Sequence, residues 1–447
     1  MTQIIYEYAN KICFVKNKMK DMRKVTLLIK NARQLLTLSS DKKGPRRGKE
    51  MEDLGLIEDG AVAISGKKIV TVGKTKDVLA KVKSEFGSCG IDNKTKIINA
   101  EGKIVLPGFV DCHTHPVFGA TREEEFELRI KGKSYEEIAQ VGGGIRSSVR
   151  SVRNLSKKEL IELTLPSLDR FLSYGTTTIE AKSGYGLSLK DEIKILEVIK
   201  KLNQIHPLDL VPTFLGAHEI PDEYRERREE YIDLLVKQMI PEVAKRKLAL
   251  FCDVFCEKNV FSLDESRKIL ETAKSYGLKP KLHADQLTPS GGGELAAEVG
   301  AISADHLEFV SDSGIDRMKE SGTIAVLLPG SVFGLGKENY PPARKMIDKE
   351  LPVALATDFN PGSSFTESMP VILSLACLRM KLTPAEAITS ATINSAYAID
   401  KGDSTGSLEP GKKADIVIWN VKNYKEIPYH YGVNLVHKVM KNGEIIR

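Results

Sequence analysis

IVLPGFVDCHTH, Ile104 to His115, is an apolar run that ends in two histidines spaced two apart. Seven runs of the same texture follow it: GTTTIEAK, LDLVPTFLGAH, LALFCDVFCE, LKPKLHADQ, AISADHLEF, TIAVLLPGS and LPVALATDFN. Between them lie segments such as LKDEIKILEVIKKLNQI and SLDESRKILETAKSYG, whose apolar residues recur at helical spacing. Runs rich in β-branched and aliphatic residues, joined by helical crossovers, read as buried parallel strands. Eight such units between Gly108 and about Ile399 are the count of a TIM barrel. A doubly wound sheet is the structural rival, but no glycine fingerprint opens a helix after the first strand, so a (β/α)8 barrel is expected.

The flanks read differently. Residues 25–38 (VTLLIKNARQLLTL), 60–74 (GAVAISGKKIVTVGK) and 95–107 (TKIINAEGKIVLP) are short β-like runs between Gly, Asn and charged turns. The C-terminus repeats that texture in ADIVIWN (414–420) and VHKVMKNGEIIR (436–447). The expected fold class is therefore α/β. A TIM-like barrel spans 108–399, and a composite small β-sandwich is built from both chain ends, 24–107 and 400–447, after an N-terminal lead over 1–23. No internal repeat or low-complexity segment is evident.

Composition narrows the function classes. Hydrophobic content of 41% and charged content of 28% over 447 residues fit a globular protein with a sizeable core. Basic residues cluster at Lys11, Lys16, Lys18, Lys20, Arg23 and Lys24, and again at Lys42, Lys43, Arg46, Arg47 and Lys49. A nucleic-acid footprint would interleave aromatics with them, and 6% aromatics with one Trp gives little of that, so these read as solvated basic stretches. The six cysteines (13, 89, 112, 252, 256, 377) follow no framework spacing; Cys252 and Cys256 lie inside an apolar run and read as buried thiols in a reducing compartment. No run approaches the ~18 apolar residues of a membrane helix, and the N-terminus lacks a signal core, so a cytoplasmic protein is expected.

A barrel carries its chemistry at the C-terminal ends of its strands. His113 and His115 close the first run, His218 the third, His283 the fifth, His306 the sixth and Asp358 the eighth. Five of the eight histidines stand at such ends, whereas His206, His430 and His437 lie elsewhere and read as structural or surface residues. Side chains at i and i+2 of a strand share a face, so His113 and His115 can aim together at one ion. Imidazole suits Zn²⁺ or iron, and His283 with Asp358 completes a ligand set that leaves a position for water. A bound ion lowers the pKa of its water toward ~7. Asp358 can take the proton of that water, and His306 can orient or polarise the reacting group. Hydrolysis is the expected chemistry; no nucleotide loop, redox-cofactor motif or Ser/Cys triad competes.

The specific motifs are HTHPVFGATRE (113–123), GGGI (142–145), KSGYGL (182–187), FLGAHEIP (214–221), DVFCE (253–257), HADQ (283–286), SADHLE (303–308) and TDFNPGSS (357–364). On them, over roughly residues 25–447, the chain resembles the amidohydrolase superfamily and, within it, the family of metal-dependent cyclic amidohydrolases that open an imidazolone ring. H-x-H and GSLEPGKKADIVIW (406–419) mark the superfamily, while KSGYGL, ATRE and DFNPGS mark the narrower family. The resemblance implies one Zn²⁺ or Fe³⁺ per chain on His113, His115, His283 and Asp358, the set that the strand ends select independently. It implies that Arg122, Tyr185 and His218 hold a substrate propionate, which suits a guanidinium fork with added donors. Asn360, Gly362 and Ser363 would line the site near the ring and the product. The implied reaction converts 4-imidazolone-5-propanoate and water to N-formimidoyl-L-glutamate in histidine degradation, in a homodimer with no nucleic-acid or membrane partner.

Some members of that family carry Glu three residues after the third metal histidine, where this chain has Gln286. An amide can orient a ring but cannot act as a general base, so the proton work is expected of Asp358 and His306, with Gln286 orienting. Lys182 ends the second run rather than the fourth, the place of a metal-bridging lysine, and is expected to pair with Glu180 or Glu257 beside a mononuclear site. The rival readings are an aminohydrolase of a purine- or pyrimidine-like ring and a non-catalytic scaffold on the same fold.

Overall fold

The computed structural model describes residues 24–86, 91–133, 137 and 143–447. The lead 1–23 with Cys13 and its basic cluster up to Arg23, Cys89, and Gly142 of the GGGI motif lie outside the described residues, whereas Lys24 is described and pairs with Asp92.

The first sheet begins with β1 (Leu27–Leu36), β2 (Leu56–Ser65), β3 (Lys68–Lys74), β4 (Lys96–Asn99) and β5 (Ile104–Pro107). The barrel follows: β6 (Phe109–Asp111), β7 (Thr176–Lys182), β8 (Asp209–Ala217), β9 (Phe251–Cys256), β10 (Lys279–Ala284), β11 (Ser303–His306), β12 (Ile324–Leu327) and β13 (Val353–Leu355). These eight pair in sequence order, every neighbour parallel. The ring closes just beyond the strands, where Thr114 bridges Phe359 in parallel. There the amide of His115 donates to the carbonyl of Phe359 (2.9 Å) and that of Asp358 to the carbonyl of His113 (3.1 Å). The chain then returns to the first sheet as β14 (Ile416–Trp419), β15 (Val436–Lys441) and β16 (Glu444–Ile445), with β14 antiparallel to β5.

The TIM-like barrel expected from the eight runs is present, and both chain ends meet in one mixed sheet beside it. Residues from both ends, among them Ile29, Ile64, Ile416 and Met440, share an apolar core. The run 104–115, which reads as one strand in the sequence, serves both sheets: its first half is β5 and its second β6. The break falls at Gly108, whose amide donates to Asp415 (3.0 Å). A side chain there would meet that of Thr177 at 2.3 Å, so close packing of β6 on β7 requires glycine.

Crossover helices cover the barrel because one stripe of each is apolar. In the helix Leu189–Ile205 the stripe is Ile195, Leu196, Val198, Ile199 and Leu202, all buried, and Ser188 caps its start. The helix Leu263–Ser275 starts on a reciprocal capping box of Ser262 and Glu265. The sheets join through Trp419, fully buried with its ring 5.5 Å from that of Phe109, and through Asp209, which pairs with Lys413 (2.5 Å) and Lys441 (2.7 Å). Of the basic stretch 42–49, Arg46 is not solvated: it is buried and donates to the carbonyls of Leu38, Lys42 and Gly44, so it pins its own loop.

Candidate active site

His113 and His115 lie two and four residues past the end of β6 rather than within it. The barrel closure, not strand alternation, therefore brings them together. Their Nε2 atoms are 3.3 Å apart, and each lies 3.6 Å from Asp358 Oδ1. His283, on β10, and His306, the last residue of β11, complete the cluster, with ligand-capable atoms of His113, His283 and His306 within 4.8 Å of one another. His306 thus belongs to a second triad that shares His113 with the triad His113, His115 and Asp358. All five residues are buried.

Burial holds His113 and His115 well below the ordinary imidazole range, so both rings are neutral. His113 Nδ1–H donates to Asp305 Oδ2 (2.6 Å), which leaves its Nε2 a bare lone pair. Two neutral nitrogens facing one point beside a carboxylate form a donor set for a cation, and the residues fit a metal ion. Burial raises the carboxyl of Asp358 above its ordinary range. Burial would depress His306, but Glu308, 3.6 Å from its Nδ1, outweighs that and raises it. His306 (φ 80°) and Asp358 (φ 52°) both occupy the left-handed region, strained conformations of the kind that cluster at functional positions.

Beneath the cluster lies a layer of fully buried charge. Lys182 Nζ is 2.6 Å from Asp253, 3.1 Å from Glu180 and 3.5 Å from Asp305. Lys281 Nζ reaches Glu180 at 2.8 Å. Burial alone would depress Lys182, yet these acids hold its ammonium above the ordinary lysine range. Of the two partners expected for Lys182, Glu180 is present and Glu257 is not. The Glu257 carboxylate turns away to accept from the amides of Leu287 (2.7 Å) and Thr288 (3.2 Å), which brace the loop after Gln286.

Above the cluster opens a cavity of about 590 Å³ whose wall includes Arg122, Tyr185, His218, Gln286, Asn360, Gly362 and Ser363 together with His115, His283, His306 and Asp358. Arg122 pairs with Glu125 (2.5 Å), which also accepts from the amide of Gly144 (3.0 Å). The backbone of Gly362 packs against this guanidinium: a Cβ there would stand 2.4 Å from Arg122 Nη1. The His218 ring stacks on His115 (5.1 Å between centroids, 18°), and Tyr185 leans on both. Burial pushes His218 down to about 3, and its Nδ1–H donates to the carbonyl of Gly184 (2.9 Å). A neutral ring so bonded offers Nε2 only as an acceptor. Asn360 spends its amide within its own loop: Nδ2 donates to Asp358 O (2.6 Å) and Ser363 Oγ (2.8 Å), while Oδ1 accepts from the amides of Gly362 (2.7 Å) and Ser363 (2.8 Å). It shapes the wall more than it reaches from it. Ser363 Oγ in turn donates to Asp358 Oδ2 (3.3 Å).

Several residues at the site escaped the sequence reading. The buried carboxylate of Glu192 accepts from the amides of Gly184 (3.0 Å), Gly186 (2.8 Å) and Leu187 (2.9 Å), and so clamps the loop that carries Tyr185. Asp253 and Asp305 contact the histidine cluster, and Arg129, Lys133 and Lys337 add cationic wall. Only Glu125 carried a local signal, its spacing of three from Arg122 within one helical turn.

The chain is 50% identical to the imidazolonepropionase of Alkaliphilus oremlandii over 422 residues, which span 94% of this chain and 98% of that protein. It is also 50% identical to the imidazolonepropionase of Geobacillus kaustophilus over 420 residues, 94% and 97% of the two chains. Residues 104–446 match the model of the amidohydrolase family. The chain belongs to the amidohydrolase family, on its imidazolonepropionase branch. Solved structures agree with the architecture. A 5-methylcytosine deaminase from Klebsiella pneumoniae superposes with a TM-score of 0.69 at 16% identity (94% of this chain, 98% of that one). A Xaa-Pro dipeptidase with bound methionine gives 0.65 at 16% (94% and 99%). At that identity the likeness concerns the fold alone. Like the family, this amidohydrolase presents a buried His/Asp group able to hold a metal. Among the described residues no helix is long and apolar enough to cross a membrane.

Proposed function

We propose that this amidohydrolase hydrolyses the ring C–N bond of 4-imidazolone-5-propanoate to give N-formimidoyl-L-glutamate, a step of histidine degradation. One observation carries the reading: Arg122, a carboxylate-reading guanidinium, stands on the wall of the same cavity whose floor is the His/Asp cluster. A ring bearing an anionic arm fits both ends, whereas the uncharged ring of an aminohydrolase substrate has no use for the cation.

His113, His115, His283 and Asp358 would hold one Zn²⁺ or Fe³⁺ per chain, which would supply Lewis-acid polarisation of the ring carbonyl and a lowered pKa for water. Asp358, whose carboxyl burial raises, accepts a proton from the attacking water and returns it to the leaving ring nitrogen. His306 donates to the oxygen on which charge develops, a role its raised pKa favours. Gln286 orients the ring. Arg122 and Tyr185 hold the propionate away from the reacting bond, so they act by positioning, and His218, neutral with its free nitrogen an acceptor, joins them only by taking up a proton as the carboxylate binds. Asn360, Gly362 and Ser363 shape the wall beside the ring and the product. The hydrolase barrel is taken as 108–399 and the composite unit as 24–107 with 400–447, in a cytoplasmic homodimer.

Absorbance of imidazolone propionate should fall on mixing with metal-reconstituted protein. No loss, with ammonia released from a purine or pyrimidine instead, would overturn the reading.

A further inference from the structure

The layer beneath the His/Asp cluster has a connectivity that the reaction does not itself require. Five charged side chains from four strands, Glu180 and Lys182 of β7, Asp253 of β9, Lys281 of β10 and Asp305 of β11, have no exposed side-chain surface. Two of the carboxylates look upward: Asp305 Oδ2 accepts from His113 Nδ1 (2.6 Å), and Asp253 Oδ2 lies 3.0 Å from His283 Nδ1. The same two oxygens look downward to one cation, Lys182 Nζ, at 3.5 and 2.6 Å. The outer oxygens are tied to the barrel, Asp305 Oδ1 by Ser303 Oγ (2.6 Å) and Asp253 Oδ1 by the amide of Val254 (2.8 Å). Lys182 Nζ also lies 3.1 Å from Glu180, which is held by Thr213 (2.5 Å) and Lys281 (2.8 Å).

We infer that Lys182 is a positioning residue that couples the orientation of His113 to that of His283, by holding in one ammonium the two carboxylates that aim those rings. The inference rests on the proposed metal centre. Carboxylates behind metal-ligating histidines fix ring orientation, and their loss costs ~10–100-fold in metal affinity. Among the described residues Lys182 is the one ammonium that reaches both carboxylates, since Lys281 approaches Asp305 alone (3.8 Å), so removing Lys182 should loosen two ligands at once.

The test is metal retention against a chelator, together with the visible spectrum of cobalt-substituted protein. Lys182→Met alone would leave three buried carboxylates facing one cation, so the charge-balanced pair Lys182→Met with Glu180→Gln is used, with Glu180→Gln alone as control. The pair should fold by circular dichroism, lose metal to the chelator at least ~10-fold more readily than the control, and shift the cobalt bands. Retention and spectrum equal to the control would overturn the inference. If the pair does not fold, Lys182→Gln with Glu180→Gln, which keeps the same charge balance and puts a neutral amide in place of the ammonium, reads the same two quantities with the same two outcomes. A parent protein that itself retains no metal would instead sink the metal-centre reading, so the two failures are distinguishable.

Discussion

Asp358 and His113 are joined twice. The amide of Asp358 donates to the carbonyl of His113 at 3.1 Å, and its carboxylate lies 3.6 Å from His113 Nε2. The first contact closes the barrel and the second lies within the His/Asp group able to hold a metal, so the seam of the fold and the proposed centre of the chemistry are one place.

Because the closure uses main-chain atoms, Asp358→Asn should leave the barrel intact, and asparagine tolerates the left-handed backbone there. Activity should fall about 10²–10⁴-fold, the usual contribution of a proton-transferring group. Circular dichroism and kcat measured on one preparation check both halves; an unfolded variant would refute the separation of seam from chemistry.

Arg122→Ala should raise KM about 10–100-fold, the worth of one charge-assisted contact, while metal content stays that of the parent. Gly362→Ala should act in the same direction by displacing the guanidinium that its Cβ would strike. Loss of metal in either variant would contradict the assignment of Arg122 to the substrate rather than to the metal centre.

Glu192 touches no substrate-facing atom, yet it clamps the 184–187 loop with three accepted hydrogen bonds. Glu192→Gln offers fewer acceptor positions and should raise KM by about tenfold with kcat spared, as Tyr185 and His218 lose their common support. Steady-state kinetics separates this from a fall in kcat, which would point to a disturbed metal cluster instead.

Acid should destabilise the metal-free protein through its buried neutral histidines. His218 has a folded pKa of about 3, below its unfolded value near 6.5. Between those values the unfolded chain binds the proton and the folded one does not, so its stabilising effect is whole above pH ~6.5 and drains away as pH falls toward ~3. Each pH unit crossed costs ~1.4 kcal/mol per such residue. Urea unfolding at stepped pH should show a slope that His218→Asn reduces; equal slopes would refute it.

The eight barrel strands were legible because each is buried on both faces and reads as one apolar run. The members of the His/Asp cluster were legible because barrel chemistry sits where those runs stop. What could not be read was whatever depends on which runs become neighbours. Lys182 looked like a partner for Glu180 or Glu257; Glu180 is one, but the Glu257 side chain just past β9 turns outward and Asp253, four residues earlier, turns in. Glu192 reads as an ordinary helical acid until the KSGYGL loop folds over it. His218 looked like a donor to a carboxylate, and only the carbonyl of Gly184 shows which nitrogen its proton occupies.

The strand that changes sheets at Gly108 constrains how the enzyme can move. The junction between the sheets is one residue long at that point, fixed by the amide of Gly108 on Asp415 and that of Phe109 on Gly175. Such a joint has no free torsion to spend on a swing. At this joint the small sheet is therefore an abutment to the barrel rather than a lid over it.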